Sequence, residues 1–74
     1  MTDTIKTMEL IKVDSMTAYS LEPGDLIDVD GEVVTIKNIV ALNDGYEMEI
    51  VNDFGEEDVI YPSDNQLFDL YIED

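Results

Sequence analysis

Carboxylates are the side chains present in numbers that could do chemistry: nineteen Asp and Glu stand against three lysines, with no arginine, histidine or cysteine. Three uses are open to them. A pair held across a cleft could act as general acid and base on a glycosidic bond. Alternate oxygens beside a glycine, as in Asp28-Val29-Asp30-Gly31-Glu32, could wrap a hard cation. A row on one face could meet a row of lysines and arginines on another protein.

The first use is disfavoured. His, Cys and Arg supply the usual general base, thiolate nucleophile and anion clamp, and a 74-residue chain leaves little room for a cleft that excludes water. The chain reads as non-enzymatic and calls for no cofactor. The second use fails on spacing, because an EF-hand loop continues its ligands to a twelfth position between two helices. That run reads instead as a hairpin turn, so no metal site is expected. The third use remains, and the charge is unevenly placed to suit it. Residues 1–37 hold eight acids and all three lysines, a net of −5, whereas residues 38–74 hold eleven acids and no base, a net of −11.

The elements that must position these groups follow from the turn signals. Pro23-Gly24, Asp30-Gly31, Asp44-Gly45, Phe54-Gly55 and Pro62-Ser63-Asp64 punctuate stretches rich in Val, Ile, Thr and Tyr, the pattern of an all-β meander. Hydrophobic residues make up 45% of the chain, which separates it from highly charged disordered sequences. One small domain is expected over residues 1–74, burying roughly 60% of the surface its unfolded chain exposes.

A two-residue Asp30-Gly31 turn sets Val29 opposite Glu32, Ile27 opposite Val34 and Asp25 opposite Ile36, gathering Ile27, Val29, Val34 and Ile36 on one face. Strict alternation beyond Ile36 would then bury Asn38 and expose Ile39. A bulge near Lys37-Asn38 is therefore predicted. For the next hairpin, a two-residue Phe54-Gly55 turn pairs Ile50 with Val59 and Met48 with Tyr61, so that Tyr46, Met48, Ile50, Val59 and Tyr61 face inward. Glu47, Glu49, Asp53, Glu56 and Asp58 then form an acidic row outside. The pattern assigns Tyr19 and Tyr71 to neither face, and Phe54 at a turn tip suits a contact point or a cover over one end equally. Ile5–Val13 reads as a strand, Met16–Leu21 as a turn or single helical turn, and Leu67–Ile72 as a closing strand, with Glu73 and Asp74 fraying.

The run Leu21-Glu22-Pro23-Gly24-Asp25-Leu26-Ile27, followed by Asp30-Gly31-Glu32-Val33-Val34-Thr35-Ile36 and a later short hairpin, resembles small SH3-like β-barrels. The chain as a whole is similar to small acidic proteins encoded by bacteriophages. The likeness covers about residues 21–61 and implies an SH3-like barrel of five or six antiparallel strands joined by tight turns, working in the cytoplasm of a bacterial host. The absence of cysteine fits a reducing cytosol. No apolar run approaches the ~18 residues of a membrane span, and with so few cations direct binding to nucleic acid or anionic lipid is not expected.

The expected partner is a basic protein, met through Asp44, Glu47, Glu49, Asp53, Phe54, Glu56, Glu57 and Asp58. Its sharpest form is DNA mimicry. A compact chain of this size is roughly 30 Å across, a length over which duplex DNA carries about 17 phosphates, close to the formal charge of −16. The alternative is a small virion or assembly component whose acidity serves solubility. Neither the partner's identity nor the oligomeric state is legible in the sequence.

Overall fold

The computed structural model describes residues 10–73; the expectations for Ile5–Glu9 and for Asp74 fall outside them. Six strands follow in order: β1 (Leu10–Thr17), β2 (Leu26–Val29), β3 (Glu32–Leu42), β4 (Gly45–Val51), β5 (Glu57–Ile60) and β6 (Leu67–Glu73), with one 3₁₀ turn at Ala18–Ser20. All pairings are antiparallel, in the order β1-β6-β2-β3-β4-β5. The all-β expectation holds, but the sheet is open, with β1 and β5 at its edges, rather than a closed barrel. It is nevertheless curled. Ile60 from the edge strand β5 lines one cleft with Val29 of β2 and Phe68 of β6, strands that are not its neighbours.

The β2–β3 hairpin has the register that its turn dictates: Ile27 opposes Val34 and Val29 opposes Glu32. Asp30 and Gly31 adopt φ of 53° and 86°, the paired positive values of a type I′ turn, which asparagine, aspartate and glycine accept best. Upstream, Pro23-Gly24 turns the chain into β2 with Gly24 at φ 99°. Asp25 locks that turn: its carboxylate accepts from the Glu22 N–H at 2.8 Å while its own N–H donates to the Glu22 carbonyl at 3.1 Å.

The predicted bulge is present, since the β3–β4 register shifts between Ile36 and Asn38 and leaves Lys37 as the extra residue. Ile36 therefore pairs with Ile50 and Ile39 with Met48 on the same side of the sheet. The core forms there. Ala18, Leu21, Ile27, Val34, Ile36, Met48, Ile50 and Phe68 are buried, and Met16, Val29, Ile39, Tyr46, Ile60 and Leu70 pack against them. None of the described charged residues is buried.

The β4–β5 register differs from expectation by one residue. Ile50 opposes Asp58 and Met48 opposes Ile60, in place of Val59 and Tyr61. The cause is a five-residue loop, Asn52–Glu56, where two residues were expected. The Asn52 side-chain oxygen accepts from the Phe54 and Glu56 N–H groups, each at 2.9 Å, and its backbone N–H donates to the Glu56 carbonyl at 3.0 Å. One residue of slip exchanges the faces of a strand. Ile60 thus joins the core, while Val59 and Tyr61 turn outward at 39% and 68% exposure. Tyr46 faces inward as expected.

Candidate protein-binding surface

Of the nineteen acids, Asp3, Glu9 and Asp74 lie outside the described residues, leaving sixteen; of the three lysines, Lys12 and Lys37 remain. Both are paired. Lys12 Nζ sits 3.3 Å from Asp69, and Lys37 Nζ sits 2.8 Å from Glu57. The Lys37 ammonium is held above its ordinary pKa first by its hydrogen bond to Glu57, then by the charges of Glu57 and Glu49. Surface pairs of this kind contribute little to stability. Their consequence is electrostatic: neither described lysine is left over to screen the remaining carboxylates.

The slip in β4–β5 divides the expected acidic row. Glu47 and Glu49 lie on the outer face of β4, where Glu49 stands opposite Asn38 and Val59. Glu57 stands opposite Val51 and reaches Lys37 beside them. Asp58 goes to the other face, opposite Ile50, and Glu56 closes the loop. Asp44 lies in the β3–β4 turn, at the far end of β4. The four carboxylates Glu47, Glu49, Glu56 and Asp58 therefore share no common plane, because their strand phase was set by Asn52 rather than by Phe54-Gly55. Phe54 itself projects from the loop tip at 84% exposure and covers nothing. Asp53, beside it, is also exposed.

What the fold brings together instead is a groove at one end of the sheet. β3 runs away from the Asp30-Gly31 turn and β4 returns, so that turn and the Asn52–Glu56 loop must lie at the same end. Between them Asp30, Glu32, Glu56, Glu57 and Asp58 surround an opening of about 480 Å³. Its floor is apolar: Val29, Val34 and Ile50. Asn52 ties the two sides, donating from Nδ2 to Glu56 Oε1 at 2.8 Å and, at the limit of hydrogen-bond length, to Glu32 Oε2 at 3.5 Å.

Asp30 and Glu32 were read from sequence only as turn residues. The signal that could have found them was topological, since alternate turns of a meander share an end. The Asp28–Glu32 run forms the β2–β3 hairpin, and among the described residues no group of three or more acidic side chains is placed to hold a metal ion. No helix among them is long and apolar enough to cross a membrane.

No protein-family model matches the chain, and no similar curated protein or solved structure was found.

Proposed function

We propose that the protein is a non-enzymatic binding module that engages a basic partner protein through its carboxylates. The observation that supports this most is the charge arrangement: fifteen acids with described side chains, none buried, with both described lysines already engaged. Such a surface steers cationic partners at low ionic strength and repels nucleic acid. Its contact residues are Glu56, Glu57, Asp58, Asp53 and Phe54 of the β4–β5 hairpin, with Glu47 and Glu49 on the adjoining face and Asp44 beyond them. DNA mimicry is the sharpest form of this reading. Net charge supports it; regular carboxylate spacing does not, because the row is divided between two faces.

The reading includes an SH3-like barrel of phage origin. In its favour, β6 returns to pair with β2, the first strand of the β2–β5 meander, and the Lys37 bulge bends β3 as small barrels require. The working compartment on this reading is the cytoplasm of a bacterial host.

The test is recovery of partners from host lysate on the immobilised protein at about 50 mM and about 500 mM salt. A basic DNA-binding protein retained only at the lower salt, and released by duplex DNA, is the expected result. Retention indifferent to both salt and DNA would remove the electrostatic basis of the proposal.

A second reading, an assembly component, is favoured by one feature. Leu10, Ile11 and Val13 on the edge strand β1 and Ile72 beside them on β6 are large, apolar and exposed. β1 carries one lysine and one aspartate, so its charges balance, as those of β3 do. Self-association that survives the higher salt would select this reading instead.

A further inference from the structure

We infer that the groove between the Asp30-Gly31 turn and the Asn52–Glu56 loop seats a basic segment of a partner protein, with one aliphatic or aromatic side chain on the floor and flanking Lys or Arg on the rim. The inference rests on the basic-partner reading above and narrows it to one place and one side-chain pattern.

Two properties meet in this groove. The first is an apolar floor: Val29 is half-buried and borders the opening, with Val34 and Ile50 of the core beneath it. An apolar side chain resting there would extend the core outward and lose its own hydration. The second is the rim. Of its five carboxylates only Glu57 has a cationic partner among the described residues, Lys37, so Asp30, Glu32, Glu56 and Asp58 face the opening with no described lysine beside them.

Charge complementarity therefore fixes the sign of the occupant, and the floor fixes that it is not charge alone. Polyamines and free cations satisfy the rim but not Val29, Val34 and Ile50. A purely apolar segment would dehydrate four carboxylates without pairing them, which is costly. Nucleic acid is repelled. The opening, about 480 Å³, has the capacity of a typical ligand pocket, enough for one large side chain with the stems of its neighbours lying along the walls. Phe54, exposed at the loop tip beside the rim, offers a face for a guanidinium or an aliphatic stem.

The full chain, labelled with ¹⁵N and held at about 20 mM salt, is titrated with the peptide Lys-Arg-Leu-Arg-Lys, with the same peptide carrying Gly for Leu, and with spermine. The leucine peptide should shift the amides of Val29, Asp30, Glu32, Asn52 and Glu56–Asp58 and bind several-fold more tightly than the glycine peptide. The variant D30N/E32Q/E56Q/D58N should lose about tenfold in affinity. A control with the same change in charge elsewhere, D14N/E22Q/D64N/D69N, should lose much less. Retained amide dispersion in both variants shows that the fold persists.

Two results overturn the inference, and they are distinguishable. If the leucine peptide, the glycine peptide and spermine bind alike, or the two variants weaken equally, the groove has no special role although the surface still attracts cations. If no probe binds at low salt, the basic-partner reading falls with it.

Discussion

The two hairpins that frame the groove were built by different means. In β2–β3 the turn is two residues long, both at positive φ, and its backbone alone dictates which residues face each other. In β4–β5 a side chain decides: Asn52 draws the Phe54 and Glu56 N–H groups to its oxygen and lengthens the connection to five residues. Both segments alternate, and both carry apolar residues at more than one phase. Val59 and Ile60 are equally good strand formers, so hydrophobic pattern could not choose between them. A register written into backbone conformation travels with a dipeptide, whereas one written into a side-chain cap depends on a residue outside the strands.

The strongest way to break this contrast is to remove core side chains from each hairpin and compare the costs by urea denaturation. Ile27→Ala, at a position with no exposure, should cost about 2–5 kcal/mol. In β5, Ile60→Ala should cost more than Val59→Ala, which is outward-facing and should lose less than about 1 kcal/mol. The reverse order for the β5 pair would restore the Phe54-Gly55 register.

A smaller effect should come from the loops themselves. Asn52→Ala removes two acceptor contacts and the Nδ2 bridge, and should destabilise by about 1–2 kcal/mol with increased amide exchange at Phe54 and Glu56. Asp30→Asn should leave thermal stability nearly unchanged, because asparagine suits a type I′ turn as well. If both substitutions were equally silent, Asn52 would not be setting the register.

The smallest expected effect concerns Lys37. Its raised pKa means that the folded state holds the proton more tightly than the unfolded chain, so the contribution of the pair to stability is present below the ordinary lysine value, near 10.4, and disappears as pH rises through the higher folded value. Lys37→Gln should therefore leave the melting temperature at neutral pH almost unmoved. In wild type the Lys37 Nζ titration, followed by NMR, should shift downward in Glu57→Gln, whose side chain still accepts a hydrogen bond but carries no charge. An unmoved titration would mean that the 2.8 Å contact is not maintained in solution.

Sequence was informative where conformation is local. The Asp30-Gly31 register, the turn at Pro23-Gly24, the helical turn after Met16 and the bulge at Lys37 all follow from a residue's own φ preference or from the arithmetic of alternation. Sheet closure was not legible, because curvature accumulates over all six strands and no residue encodes it. For the candidate site the acids were evident, but their grouping was not. Asp30 and Glu32 lie more than twenty positions from Asp58 in sequence and come beside it only through the shared end of two hairpins.

The bulge at Lys37 carries a consequence for chain length. β3 behaves as two half-strands of opposite parity joined at one residue: Val34 and Ile36 point inward before the join, and Ile39 does so after it. Deleting Lys37 would leave Ile36 facing inward, Asn38 outward and Ile39 inward by plain alternation against Ile50, Glu49 and Met48, so both faces would survive and only the bend would go. The surplus residue at that position thus sets how sharply β3 turns, while the β4 partners set which side chains reach the interior.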